Sequence, residues 1–272
     1  MKTPFFGWVV VGCAFLVLFL AYGVQYSFGV FLPAMTDELG WQRASLGGAF
    51  SLYSLVYTGF SLVSGRLTDS LGPRRVIGLG GVLLGIGIMA TSQISAQWQL
   101  YFFYGLVAAL GMSTAYIPCN MTVVRWFHEK RGLALGVASC GASCGILVMP
   151  MLASYIIEHA GWRTGLLVLG AGLFIVINIA AHFMVRSPEV LGLSPDGATA
   201  SPSSGVPDAV AGADDLPGWT LIEARATITL WMFLFAFAIV LLTVTVPFVH
   251  IPNFARDIGL SATGGAFAIS IT

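Results

Sequence analysis

Long apolar stretches alternate with short polar segments along almost the whole chain. A helix needs about 20 predominantly apolar residues to cross a bilayer. Seven complete stretches of this kind lie near 8–32, 44–64, 76–94, 99–124, 132–157, 164–185 and 228–250. None of them contains Asp, Glu, Lys or Arg, and an eighth stretch begins near residue 264. The pattern predicts an all-α polytopic membrane protein.

The composition supports the same class. Apolar residues make up 57% of the 272 residues and charged residues only 9%, with 12 basic and 12 acidic side chains. Soluble domains carry about 25% charged residues. A net charge of zero gives no indication of nucleic-acid binding. The four cysteines lie inside apolar stretches without metal-ligand spacing, so we expect neither a metal site nor a cofactor.

The basic residues predict the orientation of the chain in the membrane. Lysine and arginine are enriched in cytoplasmic loops. With the N-terminus inside, three basic residues face outward: Arg43, Arg163 and Arg256. The other nine face the cytoplasm: Lys2, Arg66, Arg74, Arg75, Arg125, Lys130, Arg131, Arg186 and Arg225. We therefore predict a multi-pass protein of the plasma membrane with a cytoplasmic N-terminus, and the short loops favour a bacterial inner membrane.

One connection differs from the short loops. Residues 186–227 are rich in Pro, Ser, Ala, Gly and Asp and lack the apolar residues needed to form a core. We interpret them as a cytoplasmic linker between an N-terminal six-helix bundle, residues 1–185, and the start of a second bundle, residues 228–272. A featureless tether is the simplest interpretation of this linker, although residues 219–231 could form a short interfacial helix.

A weak internal repeat supports this division. VFLPAMTDELG at 30–40 and VHIPNFARDIG at 249–259 align at an offset of 219 residues, each at the outer end of a span. Parallel duplication of six-span halves produces such an arrangement. We therefore expect a complete protein of about twice 219 residues with twelve helices, and we expect residues 1–272 alone to be unable to catalyse coupled transport.

The connection between spans two and three carries a motif, GRLTDSLGPRR. Its two glycines permit a tight turn, and Asp69 can cap a helix or pair with a basic group. Basic residues that merely keep the loop inside are the simpler interpretation. Together with the six spans and the linker, the segment resembles the signature loop of the major facilitator superfamily, G-x-L-x-D-x-x-G-x-[RK]. The matching residues are Gly65, Leu67, Asp69, Gly72 and Arg74.

The resemblance implies that this loop stabilises one conformer of an alternating-access cycle. The family commonly has Arg directly after the Asp, where this chain has Ser70. Further segments resemble monocarboxylate porters and oxalate:formate antiporters: 7–31, 116–141, 161–163, 191–197 and 246–261. Within them, RWF and KRG place Arg125, Lys130 and Arg131 at the cytoplasmic mouth of spans four and five, either as gating residues or as topogenic anchors.

Polar residues inside the apolar spans are the candidate substrate contacts. Span one contains Tyr22, Gln25 and Tyr26, and span four contains Tyr116 and Asn120 at helical spacing. In the antiporters that the chain resembles, the tyrosine matched by Tyr116 lines the substrate cavity. Core tyrosines bonded to a neighbouring helix are the alternative. The resembled families bind the carboxylate with a basic residue in span eight, which lies beyond Thr272.

Proline and glycine predict local features of spans four and five. Pro118 predicts a kink in span four. Gly132/Gly136 and Gly141/Gly145 are pairs that let helices approach closely. GASCG also matches the hydrolase pattern G-x-S-x-G around Ser143, but that pattern needs a strand–turn–helix context. His182, inside span six, has no charged orienting partner in any span. An intramembrane serine hydrolase is therefore a weak alternative, and we expect no enzymatic activity.

These observations give one expected function and two alternatives. We expect a secondary active transporter that works by alternating access on a small mono- or dicarboxylate, through proton symport or anion exchange. Its expected partners are a small organic anion, a proton or counter-anion, and the lipid bilayer. A transporter-like membrane sensor or scaffold without flux and the serine hydrolase remain as alternatives.

Overall fold

The computed structural model describes residues 5–194, 196, 221–240 and 243. Every regular element within them is helical. The chain divides into two compact units, residues 1–198 with 249–272, and residues 199–248. Most of the predicted linker, the end of the predicted seventh span, the repeat at 249–259 and the eighth span near 264 lie outside the described residues.

Five long helices of the first unit are apolar enough to cross a membrane. They are α1 (Phe6–Leu39), α2 (Arg43–Leu71), α3 (Pro73–Thr91), α4 (Gln97–Trp126) and the segment Arg131–Phe183. The last has 53 residues, or about 80 Å at 1.5 Å per residue, which is far more than a bilayer. Gly161 interrupts it with φ 81° and ψ 161°, giving α5 before the glycine and α6 after it.

The six helices confirm the all-α fold class, with one local difference. α2 continues to Leu71, past the predicted end of its span at residue 64, because hydropathy detects only the apolar part of a helix. Gly65 and Asp69 therefore lie in the last turns of α2. The turn itself consists of Gly72, whose φ of 83° favours glycine. The expectation of a turn made by two glycines was wrong at Gly65.

α4 is irregular in its middle. Residues Tyr101–Ala108 form a π-helix, a turn follows at 113–115, and a regular helix resumes over Tyr116–Trp126. Pro118 has no N–H and its ring clashes with the carbonyl four residues earlier, so a regular helix cannot continue through Thr114. The kink predicted from Pro118 is confirmed. Because of this kink, Tyr116 is the first residue of a new helical segment.

Glycines allow the helices of this unit to pack closely. Gly141 and Gly145 of α5 contact the carbonyl oxygens of Phe15 and Phe19 of α1, where any Cβ would overlap those atoms. The pair Gly132/Gly136 has no such neighbour among the described residues. The predicted close approach is therefore confirmed for one glycine pair and not for the other.

α3 packs against α4 and α6 through the same kind of contact. A Cβ on Gly87 would lie 2.7 Å from the backbone nitrogen of Ala108 in α4. A Cβ on Gly85 would lie 2.9 Å from the carbonyl oxygen of Gly170 in α6.

The pattern GASCG lies inside a continuous helix. Ser143 is within α5, so the segment lacks the strand–turn–helix context of a hydrolase nucleophile.

A network of hydrogen bonds joins three helices at one end of the unit. We call the end where α1 begins, at Phe6, the proximal end, and the end where it finishes, at Leu39, the distal end. At the distal end, Glu38 accepts hydrogen bonds from Trp162 Nε1 at 2.6 Å and Arg163 Nε at 2.9 Å. Arg163 also donates to the carbonyl of Ser92. These contacts join α1, α3 and α6.

The second unit is described over two helices, α7 (Leu221–Ala226) and α8 (Ile228–Val240). α7 lies where the sequence allowed a short helix. α8 is the main described part of the predicted seventh span and is apolar except for Thr229. Trp231 Nε1 donates to the carbonyl of Arg225 at 3.0 Å, which connects the two helices.

Candidate functional site

Four tyrosines from three helices come together in the first unit. The hydroxyls of Tyr22 in α1 and Tyr57 in α2 are 3.0 Å apart and hydrogen-bonded. The ring of Tyr22 stacks on Tyr26 at 6.5 Å between centroids and meets the edge of Tyr116 at 6.1 Å. We call Tyr22, Tyr26, Tyr57 and Tyr116 the tyrosine cluster.

Tyr57 was not among the residues singled out from the sequence. It lies in the second span, which is rich in serine and tyrosine, so one more tyrosine did not stand out there. The available signal was its spacing of four residues from Tyr53, which places both rings on one face of α2. Tyr53 is buried and stacks on Tyr104, whereas Tyr57 turns toward α1.

A cleft between α4 and α5 lies next to the tyrosine cluster. Its volume is about 490 Å³, and both polar residues predicted in span four, Tyr116 and Asn120, line it. Tyr116 lines the cleft and also packs against Tyr22, so it belongs to both the cleft and the cluster. The remaining lining residues are Met121, Val124, Arg125, Leu135 and Ser139.

Two amide oxygens in this region are buried without a hydrogen-bond partner among the described residues. Gln25 is only 8% exposed, and its Oε1 has no hydrogen-bond partner in the part of the chain that the structure describes. Asn120 Oδ1 is in the same condition. A buried polar atom without a partner costs free energy relative to a bonded one. Such atoms are typical of sites that receive a polar ligand or water.

An ion pair joins α2 to the end of α4 at the proximal end. Arg125 Nη2 donates to Asp69 Oδ1 at 2.7 Å, and the two side chains are 29% and 54% exposed. The other terminal nitrogen, Nη1, is buried and has no partner among the described residues. Partly exposed ion pairs contribute about 0–1 kcal/mol to stability. The main effect of the pair is therefore to fix the position of the Arg125 side chain, and its contribution to the stability of the fold is small.

Arg74, the last matching residue of the signature loop, pairs with a histidine of α6. Its Nη2 lies 2.7 Å from Nδ1 of His182 near the end of α6. A guanidinium only donates, so the imidazole ring is the acceptor in this contact. The sequence analysis considered only charges inside the predicted spans as partners of His182. Arg74 precedes the predicted third span, and the first turn of α3 brings it to His182.

The remaining predicted gate residues lie apart from the ion pair. Arg131, at the start of α5, donates through Nε to the carbonyl of Phe127 at 3.4 Å. At Gly65 a Cβ would lie 3.5 Å from Ile117 Cγ2 of α4, an ordinary contact. Gly72 forms the turn before α3. The six predicted gate residues thus form one ion pair, one Arg–His pair, one local hydrogen bond at Arg131, one packing contact at Gly65 and one turn at Gly72.

Asp196 adds a contact that the sequence did not reveal. Its carboxylate accepts backbone hydrogen bonds from His128 at 2.8 Å and Glu129 at 2.7 Å, and a long one from Lys130 at 3.5 Å. Desolvation alone would raise the pKa of Asp196, but these N–H donors outweigh it and hold the pKa below its ordinary value. Asp196 thereby fastens the chain after α6 to the connection between α4 and α5.

The structure offers no evident metal site over the residues that it describes. No three His, Cys, Asp or Glu side chains come together there. Cys13 and Cys119 are buried, whereas Cys140 is exposed and Cys144 half-buried.

Comparison with solved structures identifies the fold. A bacterial homologue of the human lysosomal transporter Spinster, in an inward-facing and unoccupied conformation, matches 98% of this chain and 59% of its own with a TM-score of 0.74 at 16% identity. The peptide transporter POT in complex with alafosfalin matches 91% of this chain and 49% of its own, with a TM-score of 0.58.

Curated relatives include monocarboxylate transporters. Monocarboxylate transporter 11 of Homo sapiens is 28% identical over 97% of this chain and 53% of its own length. Monocarboxylate transporter 4 of Rattus norvegicus is 25% identical over 100% and 55%, respectively. The chain thus spans about half the length of these relatives. The sequence profile of the Major Facilitator Superfamily matches residues 14–272. The chain belongs to the major facilitator superfamily and is similar to its monocarboxylate transporters.

Proposed function

We propose that this chain forms part of a secondary active transporter that moves a small mono- or dicarboxylate by alternating access. The observation that carries the proposal is the tyrosine cluster beside the open cleft, a polar region within an apolar helix bundle. Polar groups inside membrane helices are costly and mark substrate pathways. The similarity to monocarboxylate transporters supports a carboxylate as the cargo.

In this mechanism the six-helix bundle supplies one wall of the central site. A second bundle would supply the facing wall, and rocking of the two bundles would expose the site to each side in turn. The substrate-lining residues of this half are Tyr22, Gln25, Tyr26, Tyr116 and Asn120, joined by Tyr57. Neutral phenols donate hydrogen bonds to carboxylate oxygens without adding a charge to the membrane interior. Proton symport and anion exchange both agree with such a site.

We further propose that the N-terminus is cytoplasmic and that the protein resides in the plasma membrane. Basic residues concentrate at the proximal end of the bundle, in agreement with the positive-inside rule. Among the described basic residues of the first unit, only Arg43 and Arg163 lie toward the distal end. The proximal residues are Arg66, Arg74, Arg75, Arg125, Lys130, Arg131 and Arg186.

Asp69, Arg125 and Arg74 form the proposed cytoplasmic gate. The Asp69–Arg125 pair ties α2 to α4, and the Arg74–His182 pair ties α3 to α6. Both contacts flank the turn at Gly72 that joins α2 to α3. In an alternating-access cycle, these two contacts would stabilise the conformer in which this end of the bundle is closed.

Counterflow in proteoliposomes tests the proposal. The protein is expressed from its complete reading frame and reconstituted, and vesicles loaded with unlabelled lactate or oxalate are diluted into the labelled compound. Transient accumulation of label is expected, with a dependence on either the pH gradient or the counter-anion. Binding of a carboxylate without any flux would favour a sensor or scaffold, and neither binding nor flux would refute the carboxylate assignment.

A further inference from the structure

We propose that a groove between α1 and α6 binds one acyl chain of an anionic phospholipid, whose headgroup is held at Arg186. The lipid belongs to the leaflet at the proximal end of the bundle. This site is separate from the tyrosine cluster and from the cleft between α4 and α5, and it does not depend on the proposed cargo.

The groove lies where α1 and α6 run side by side in opposite directions. α6 begins at the distal end, where Trp162 contacts Glu38, and finishes at the proximal end. The volume of the groove is about 240 Å³. No charged side chain lines it among the described residues, and the thiol of Cys13 is the most polar group in its wall. A lining of this kind favours a hydrocarbon ligand.

The bundle leaves this space open although glycines are present on both walls. At Gly141 and Gly170, the contacts of α1 with α5 and of α3 with α6 are so close that an added Cβ would overlap backbone atoms of the neighbouring helix. Gly12 of α1 and Gly172 of α6 share the helix faces of the groove, yet no atom lies within 4 Å of a Cβ placed at either. An unfilled apolar space forfeits van der Waals contacts, so a chain that fills it is stabilised.

The depth of the groove matches one leaflet. It extends from Val9 to Leu16 on α1 and from Phe183 back to Val176 on α6, or about 10 Å along either helix axis. The hydrocarbon of one leaflet is about 15 Å thick, half of the bilayer core. Val9, Leu16 and Phe183 are exposed, so the groove is open sideways and a lipid chain can enter it from the bilayer.

An aromatic residue marks the headgroup level at the proximal mouth of the groove. Trp8 precedes Val9, is 37% exposed and packs against Phe127 with their ring centroids 5.1 Å apart. Tryptophan is enriched where membrane meets water. A chain that lies in the groove therefore has its phosphate close to the end of α6.

Arg186 supplies a cation at this mouth. The carbonyl of the preceding residue, Val185, accepts a hydrogen bond from Trp126 Nε1 at 2.9 Å, and the Trp126 ring lies 5.5 Å from the ring of Phe6 at the start of α1. Arg186 therefore follows a residue that is fixed beside the start of α1. Its side chain is exposed and has no ion-pair partner among the described residues. A guanidinium binds phosphate oxygens through its paired N–H donors.

The charge at the mouth favours an anionic headgroup over a zwitterionic one. Arg74 contacts His182, the residue before Phe183, and so adds a second positive charge at the same level. Glu189 lies three residues after Arg186 but forms no ion pair within the described part of the chain. Basic residues near the membrane surface attract anionic lipids. A choline headgroup carries its own cation and gains less from these arginines.

Native mass spectrometry of the purified protein, expressed from its complete reading frame, tests the inference. The protein in detergent is titrated with phosphatidylglycerol and with phosphatidylcholine that carry the same two acyl chains. We expect one phosphatidylglycerol per protein to be retained, about fivefold more than phosphatidylcholine, which is the effect of one basic residue near an anionic surface.

Each other outcome would overturn the inference. Equal retention of the two lipids would exclude the headgroup site. Retention of neither lipid, or a dimer mass in place of the lipid adduct, would exclude the groove as a lipid site. None of these outcomes bears on the proposed carboxylate transport, which counterflow measures separately.

Two variants with matched controls test the assigned residues. Val176→Trp should abolish lipid retention by filling the groove, whereas Ile175→Trp, at an exposed neighbouring position outside the lining, should not. Arg186→Gln should lower phosphatidylglycerol retention to the level of phosphatidylcholine, and Arg66→Gln, an exposed charge of the same end, should leave it unchanged. Unchanged retention in folded Val176→Trp overturns the groove assignment. If that variant does not fold, an unchanged preference for phosphatidylglycerol in Arg186→Gln overturns the inference.

Discussion

At the scale of residues, the site consists of groups whose hydrogen-bonding capacity is only partly used. In the Tyr22–Tyr57 pair one hydroxyl donates to the other, so the accepting phenol keeps its own hydrogen for a further acceptor. Asn120 Oδ1 and Arg125 Nη1 are buried without partners among the described residues. A ligand with both donor and acceptor atoms, or one carried with water, would complete these bonds.

Removal of the Tyr57 hydroxyl tests the pair. We expect Tyr57→Phe to raise the apparent KM for the carboxylate about tenfold, the value of one hydrogen bond to a charged group. Tyr22→Phe should have a similar effect, and the double variant should be no worse than either because both remove one shared bond. Tyr155→Phe, exposed on α5, is the control. Strictly additive effects in the double variant would contradict a shared role.

The Asp69–Arg125 pair should matter for turnover more than for stability. We expect Asp69→Asn to lower the transport rate severalfold while changing the free energy of unfolding by no more than about 1 kcal/mol, since the pair is partly exposed. The measurements are initial rates in proteoliposomes and thermal unfolding in detergent. Glu158→Gln, another exposed carboxylate, should leave the rate unchanged. An unaltered rate in Asp69→Asn would show that the pair is only structural.

The sequence was enough to predict some residues of the site but not others. Tyr22, Tyr26, Tyr116 and Asn120 stand out because a polar side chain in an apolar span is costly. Partners from distant helices do not stand out, because their contacts depend on how the helices pack. The pairing of Arg74 with His182 and the position of Tyr57 beside Tyr22 are of this kind.

At the scale of elements, close helix contacts at glycine determine the shape of the bundle. α1 approaches α5 so closely at Gly145 that any Cβ would overlap the carbonyl oxygen of Phe19. Without a hydrophobic driving force between helices in lipid, such packing supplies much of the association. The positions of the helices followed from the apolar runs, although α1 and α2 extend past them. Their contacts did not, since Gly136 has the same spacing motif and no neighbour within 4 Å among the described residues.

The two glycine pairs provide a matched comparison. We expect Gly145→Val to destabilise the bundle by about 1–3 kcal/mol or more, because the added atoms force α1 away from α5. Gly136→Val should be tolerated in the same assay. Thermal unfolding and size-exclusion chromatography in detergent measure both variants. Equal stability of the two would contradict the described packing of α1 on α5.

The contact of Asp196 with the α4–α5 connection should depend on pH. Its folded pKa is lowered, so its contribution to stability is complete above the ordinary aspartate pKa of about 3.9 and is lost as the pH falls through the folded value. We expect Asp196→Asn to lower the unfolding temperature by a constant amount between pH 6 and 8. The difference from the wild type should shrink toward pH 3. A difference that grows on acidification would contradict the assigned sign.

At the scale of the whole molecule, the fold class was predictable because few structures can cross a lipid bilayer. Seven complete apolar runs, a linker after the sixth and one signature loop were enough to predict a major facilitator, and the family match over residues 14–272 agrees. Cargo was less predictable. It depends on which side chains of separate helices face one cleft, such as the cleft between α4 and α5, and this follows from helix packing.

The central claim is that the α4–α5 cleft is exposed alternately to the two sides of the membrane. The test is the reactivity of Ser139→Cys, whose side chain lines the cleft, after replacement of Cys140 and Cys144. In oriented vesicles we expect a membrane-impermeant maleimide to modify Cys at this position from either side, and a bound carboxylate such as benzoate to slow the reaction. Modification from one side only, unaffected by any transported carboxylate, would contradict the account.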